Sequence, residues 1–322
     1  MTVAEILEAR ARIAPHIRRT PLLPSPWLSD LADADVRLKL ESLQVTNSFK
    51  LRGAVNATAA FLERRRERPP SERRVVTASA GNHGRAMAFA AERLGLDLVV
   101  FTPESAPRAK LDYIVRHGAG LRPAPTYEMA ESMAKAFAAE SGATYISPYS
   151  HPDVIAGAAT VGLEILEDWP EVDTILAPVG GGGLVSGIAI AAKALAAERV
   201  DVVGVECEAS PAFHEAIKAG RIVEVEVHPT LADGLAGNMD PDSITFDLVR
   251  RYVRRMVLAP ESAIAEAICG LFEKERVVAE GAGATGAAAL VAGLPLAGLK
   301  VAVVVSGSNI DAGVFSRVLL RR

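Results

Sequence analysis

Four consecutive glycines, Gly180 to Gly183, stand between an apolar run at Thr174–Ala177 and a helical pattern that begins at Leu184. Glycine loses more backbone freedom on folding than any other residue, so four in a row beside apolar elements need a physical reason. A strand that ends in such a turn and opens a helix presents N–H groups at the helix N-terminus, where an anion such as phosphate is held. The run is not a Walker A loop, because no Lys-Ser or Lys-Thr follows. Nor is it the dinucleotide fingerprint, since it lies late in the chain and lacks the acidic residue at the expected distance. A phosphate cradle is the favoured reading over a plain flexible turn.

The same strand–turn–helix rhythm runs through most of the chain. Strands are expected at Val36–Leu40, Val75–Thr77, Leu98–Phe101, Leu121–Pro123, Thr144–Ile146, Thr174–Ala177, Asp201–Val205 and Lys300–Val305. Helices are expected over Ser48–Arg64, Val154–Glu167, Leu184–Ala197, Glu261–Lys274 and Ala282–Ala292, and from near Asn82, Pro107 and Thr126. Alternation of this kind predicts an α/β architecture with parallel strands. Lys300–Val305, apolar after its first residue, reads as a strand buried on both faces. The basic stretch Glu63–Arg74, with Pro69-Pro70, reads as an exposed connection, and a return crossing is expected near Ser147-Pro148.

Length and composition narrow the class. A chain of 322 residues exceeds the usual single domain, so two domains or one large α/β body are expected. Half of the residues are hydrophobic, and a net charge of −4 supplies no basic footprint for nucleic acid. No segment offers a signal sequence or an uncharged apolar span long enough to cross a membrane. Cys207 and Cys269 fit neither metal-ligand nor disulfide spacing, which points to a reducing cytoplasm.

Three further motifs carry chemistry. Lys50 lies between Phe49 and Leu51 at a helix start, where desolvation would lower the amine's pKa and make it a Schiff-base former. From that window alone, a lysine with a buried stem and a wet head is the commoner reading. Ser79-Ala80-Gly81-Asn82-His83-Gly84 follows a strand end, where small residues allow a ligand to approach the backbone. A turn with Ser79 or Asn82 as helix cap would account for it almost as well. Ser306-Gly307-Ser308-Asn309 follows the last strand in the same way. An amine, an amide, a phosphate nest and a hydroxyl together would suit a phosphorylated aldehyde.

With these motifs in order, the chain resembles the serine/threonine dehydratase family of fold-type II pyridoxal-phosphate (PLP) enzymes, which includes threonine ammonia-lyases and serine racemases. The resemblance also takes in Thr20-Pro21-Leu22, Glu41–Thr46, Val154–Gly157, Ala232-Asp233-Gly234 and Glu280–Ala284, and so covers almost the whole chain. It implies a tryptophan-synthase-β-like fold: two α/β domains with mostly parallel twisted sheets and the cofactor between them. Residues 1–68 and 147–322 would form the large PLP-binding domain and 69–146 the small one, with no C-terminal regulatory domain and a homodimer as the assembly.

Carried over by position, the resemblance implies that Lys50 bonds PLP as a Schiff base and then takes the substrate α-proton. Phe49, Asn82, Gly180, Gly181, Gly182, Gly183, Leu184, Glu280 and Ser306 would contact the cofactor, with Ser306 at the ring nitrogen. Ser79, Ala80, Gly81, Asn82, His83 and Gly234 would receive the substrate. A hydroxyl at the ring nitrogen, in place of an aspartate, makes a weaker electron sink and so favours elimination over transamination. The implied reaction converts a 3-hydroxy amino acid, L-threonine or L-serine first, into a 2-oxo acid and ammonia.

Departures from the family pattern sharpen the expectation. Racemases of the family carry a proton-donating serine where this chain has Ala80, so a dehydratase with little racemase activity is expected. Leu51 and His83 argue against the sulfhydrylases and threonine synthases of the same fold. Gly157-Ala158-Ala159-Thr160 replaces a more polar family stretch, and a monovalent or divalent structural cation would have Glu206 and Glu208 but Ala212 in place of the later aspartate. Other 3-hydroxy amino acids (3-hydroxyaspartate, phenylserine, hydroxyectoine-derived compounds), serine racemisation and a non-catalytic PLP-sensing module remain as alternatives. A nucleotide-dependent oxidoreductase is the rival that glycine loops alone would suggest.

Overall fold

The chain's computed structural model describes residues 1–67, 69, 72–106 and 108–320. Arg68, Pro70 and Ser71, in the expected connection, and Pro107, at an expected helix start, lie outside the described residues.

Among the described residues ten strands are formed: β1 (Leu22–Pro24), β2 (Asp35–Leu40), β3 (Arg74–Ala78), β4 (Asp97–Pro103), β5 (Gly120–Ala124), β6 (Thr144–Tyr145), β7 (Thr174–Pro178), β8 (Asp201–Cys207), β9 (Arg255–Ala259) and β10 (Lys300–Val305). They make two sheets. Six strands run in the order β1-β2-β10-β7-β8-β9, and four in the order β5-β4-β3-β6. All neighbours pair in parallel except β1, which is antiparallel to β2. The fold is therefore of the α/β class, with fold-defining crossovers made by helices.

The apolar run of β10 has a direct cause. Val301, Val303 and Val305 enter one hydrophobic cluster with Leu176, Val203 and the helices Glu261–Glu275 and Gly281–Val291. Ala302 and Val304 enter the cluster on the opposite face, with Ile175, Val202 and helix Gly183–Ala196. A strand covered on both faces has no place for a polar residue. The four-stranded sheet is sandwiched in the same way. Val75, Leu98 and Val100 pack toward helices Lys50–Arg64 and Asn82–Leu94, while Val76, Val99 and Phe101 pack toward Ala130 and Ala134 of helix Tyr127–Ser141.

Helix Lys50–Arg64 packs between helices Asn82–Leu94 and Pro152–Asp168 and crosses the latter at backbone contact. A methyl group built on Gly157 would lie 2.4 Å from the carbonyl oxygen of Arg52. Only glycine allows that approach, and it fixes where the first turn of the helix, with Lys50, comes to rest.

The expected elements are recovered with ends moved by at most two residues. Helices Val3–Ile13, Pro26–Ala32, Ala212–Ala219, Thr245–Tyr252 and Ala312–Leu320, and strands β1 and β9, had no counterpart in the sequence reading. Most of these are short, and β1 and β9 sit at sheet edges, where burial imprints little pattern.

Candidate active site

The carboxyl ends of three strands from both sheets converge on one cleft. Beyond β3 comes Ser79–Gly81, opening helix Asn82–Leu94; beyond β7 the tetraglycine turn; beyond β10 Ser306 and Gly307. In open α/β sheets this is the end where ligands bind. The seams between these turns are hydrogen-bonded. Phe49 N–H donates to Ser306 O at 3.0 Å, and Ser48 forms an antiparallel bridge with Gly307.

Lys50 begins its helix and points its Nζ into the cleft, where it donates to the carbonyl oxygen of Pro148 at 2.8 Å. The Phe49 ring lies 5.2 Å away. No carboxylate forms an ion pair with this amine among the described residues, and desolvation lowers its pKa from 10.5 to about 8. A minor but usable fraction of the amine is then neutral near physiological pH, far more than for an ordinary lysine, and the neutral form is what a nucleophile or base requires.

Asn82 is clamped between two partners. Its Nδ2 donates to Glu280 Oε1 at 2.6 Å, and its Oδ1 accepts from Asn309 Nδ2 at 2.6 Å. Glu280 is buried, and that burial, set against the Asn82 bond, raises its carboxyl to about 7. Gly307 leaves room for this carboxylate, since a methyl group there would come within 2.2 Å of Glu280 Oε1. Ser306 is buried beside it, with a long 3.5 Å contact from Oγ to Ala282 O.

Ser79 Oγ accepts the Gly81 N–H at 3.2 Å, which shapes the turn that carries Ala80. His83 is 2% exposed, bonds Thr77 Oγ1 through Nε2 at 3.1 Å, and leaves Nδ1 buried with no partner. Burial and the Lys50 amine push its pKa well below the ordinary value, so its ring is neutral. That unpartnered buried nitrogen is the kind of atom a bound ligand would satisfy.

The tetraglycine turn opens helix Gly183–Ala196 with Gly182 at φ 82° and no side-chain cap on the first-turn N–H groups. Only a residue without Cβ takes that conformation cheaply. The Tyr149 ring lies against Gly181, where a methyl group would meet it at 2.2 Å, and the Gly234–Leu235 backbone lies within 3.4 Å of a methyl built on Gly180. Leu184 is buried in the core beneath the turn. An uncapped helix start behind a glycine turn, with a buried low-pKa amine nearby, suits a phosphate and an aldehyde on one molecule.

Glu206, the residue named for a possible cation, is engaged by backbone. Both its oxygens accept backbone N–H groups, of Phe213 at 2.7 Å and His214 at 2.8 Å, so it caps helix Ala212–Ala219. Among the described residues no cluster of three or more His, Cys, Asp or Glu side chains gathers to hold a metal.

Behind the site is a feature the sequence reading passed over. Arg52 is fully buried, and its guanidinium forks to both oxygens of Glu41 at 2.9 and 2.8 Å and to Glu164 at 2.7 and 2.8 Å. Lys39 Nζ adds a 2.6 Å bond to Glu164, and Thr20 Oγ1 donates to Glu41. Burial alone would lower the Arg52 pKa, but Glu41 and Glu164 outweigh it and raise it. Pro148, Tyr149 and Asn309 were likewise missed as site neighbours. Asn309 alone had a signal, its place at the end of the Ser306–Asn309 turn.

Comparison with known proteins agrees with this geometry. The model of the family described as pyridoxal-phosphate dependent enzyme matches residues 13–307. An L-threonine ammonia-lyase of Thermotoga maritima is 41% identical over 320 residues, covering 99% of this chain and 78% of the relative. Among solved structures, a threonine deaminase from T.th. superposes with a TM-score of 0.86 at 36% identity, covering 97% of this chain and 99% of that one. Maize serine racemase gives 0.89 at 32% identity, covering 98% and 96%. The chain belongs to the pyridoxal-phosphate-dependent enzyme family and has its fold-type II architecture.

Proposed function

We propose that this protein is a PLP-dependent ammonia-lyase that converts L-threonine, and L-serine beside it, into the 2-oxo acid and ammonia. The observation that carries the reading is Lys50, a desolvated amine with no ion-pair partner in a cleft lined by Asn82, Glu280, Ser306 and the tetraglycine turn. The names of the Thermotoga maritima relative and of the T.th. threonine deaminase structure support the same reading.

PLP fits the residues present: Lys50 to its aldehyde, the Gly180–Gly183 N–H groups to its phosphate, Asn82 to its ring oxygen and Ser306 to its ring nitrogen. Bound there, PLP would supply an electron sink for the bond between the α-carbon and its proton. The chain's own residues do the rest. Lys50 Nζ takes the α-proton, for which a pKa of about 8 suits it. The turn Ser79–His83 presents N–H groups to the substrate carboxylate, and a neutral His83 adds no charge of its own. The 3-hydroxyl then leaves with a proton as water. The unsaturated amine takes water back and releases ammonia, so the atoms of substrate and products balance. Ala80 offers no proton to the opposite face of the α-carbon, which favours elimination over racemisation.

Around this centre we place the large domain at 1–68 and 147–322 and the small one at 69–146, with a homodimer as assembly and the cytoplasm as compartment. No helix among the described residues is long and apolar enough to cross a membrane, and Cys207 and Cys269 are both buried. For a structural cation, Glu206 and Glu208 are the candidate ligands retained, and the capping bonds of Glu206 weigh against it.

The test is 2-oxo acid release by the PLP-loaded protein given L-threonine, L-serine and threo-3-hydroxyaspartate in parallel. Rapid 2-oxobutyrate from threonine supports the reading. Turnover of 3-hydroxyaspartate alone, or interconversion of L- and D-serine rivalling ammonia release, would replace it.

A further inference from the structure

Tyr149 touches both halves of the site. Its neighbour Pro148 takes the Lys50 N–H at 2.8 Å, while its own ring and backbone fill the space beside Gly181 and Gly183. The Tyr149 hydroxyl accepts the backbone N–H of Asp240 at 3.0 Å. The segment beyond Asp240 returns to the same turn, where Thr245 Oγ1 donates to Gly181 O at 2.8 Å and Ser150 Oγ accepts the Ile244 N–H at 3.1 Å. Tyr149 is thus pinned from above by 240–245 and presses on the glycines from the side.

The pin is itself held from across the cleft. Lys135, on the helix covering the outer face of the four-stranded sheet, places Nζ 3.2 Å from the Asp240 carboxylate and 3.4 Å from Glu131. Glu131 in turn accepts the Tyr145 hydroxyl at 2.8 Å. Asp240 is 16% exposed and Lys135 40%, so the pair is half-sheltered, and ion pairs of that kind contribute modestly. The ring contact should weigh more than the ion pair.

We propose that Tyr149 is a positioning residue that seals the tetraglycine cradle, and that Lys135 and Asp240 form a strap coupling the four-stranded sheet to it. The proposal rests on the PLP reading above. It assigns Tyr149 no contact with the reacting atoms; it acts through the shape of the glycine turn and through Pro148.

The measurement is the PLP dissociation constant of the stripped and reloaded protein, followed by fluorescence, with folding checked by circular dichroism. Tyr149→Leu keeps an apolar side chain but not the flat ring, and should weaken binding by about tenfold or more. Tyr149→Phe loses only the Asp240 bond and should weaken it about threefold. Lys135→Met and Asp240→Asn should each weaken it by roughly twofold to fivefold, and the double variant should be no weaker than the worse single, the mark of one shared interaction. The absorbance maximum of bound PLP should shift in Tyr149→Leu. Folded Tyr149→Leu binding PLP within about twofold of wild type, or single effects that multiply in the double variant, would overturn the proposal. A wild-type protein that binds no PLP would instead overturn the reading beneath it.

Discussion

Lys50 and Arg52 stand two residues apart on the first turn of one helix, both withdrawn from water, and the fold treats them in opposite ways. Arg52 meets two carboxylates in forked geometry and has its guanidinium stabilised as a cation. Lys50 meets one carbonyl oxygen and is pushed toward its neutral form. A buried charge that is fully partnered belongs to the scaffold; one left with a single neutral acceptor is available for chemistry. The charged cluster and the amine share one helix turn, so the two roles are complementary: Glu41 and Glu164, through Arg52, fix the helix start from which Lys50 projects.

Breaking each member should therefore give a different loss. Lys50→Ala should lower 2-oxo acid release by on the order of 10⁴-fold or more, with thermal stability preserved, since it removes a buried amine that has no ion-pair partner. Arg52→Met should do the reverse in kind. It leaves Glu41 and Glu164 buried with only Lys39, and should cost about 3–5 kcal/mol of stability, read as a lower melting temperature. An Arg52→Met protein as stable as wild type would end the contrast.

The pH dependence of the cofactor-free protein sharpens it. The Lys50 amine titrates at about 8 in the folded state against 10.5 ordinarily, so between those values the unfolded chain binds more protons and stability rises with pH. The difference in melting temperature between wild type and Lys50→Met should follow that rise and level off above it. Glu280 gives an effect of similar size and opposite sign. Its folded value of about 7 lies above 4.5, so its stabilising proton is lost as pH rises through 7. Glu280→Gln should flatten its share of that decline in a melt series, while Glu206, raised to the same range, keeps its own.

The same contrast explains what the sequence made legible. Lys50, Asn82, the four glycines and Ser306 were readable because their types are unusual where they stand: a lysine between apolar neighbours, glycines against a buried strand. The parallel sheets were readable because both faces of β10 are covered, which leaves a continuous valine run. Arg52 was not readable as a buried charge. Its partners come from positions 41 and 164, and nothing local to Leu51-Arg52-Gly53 says that both carboxylates will be there. Tyr149 was hidden for the same reason, since its contacts are with residues 181 and 240. Glu206 entered as a possible cation ligand only through the family resemblance. In the fold its carboxylate satisfies the N-terminus of the next helix, a role set by residues 213 and 214 that no local pattern announces.

The most direct test is to reduce the PLP-loaded protein with borohydride and map the modified lysine by mass spectrometry. The account expects the pyridoxyl label on Lys50 and its absence in Lys50→Ala. A label on any other lysine, or none on a protein that has bound PLP, would contradict it.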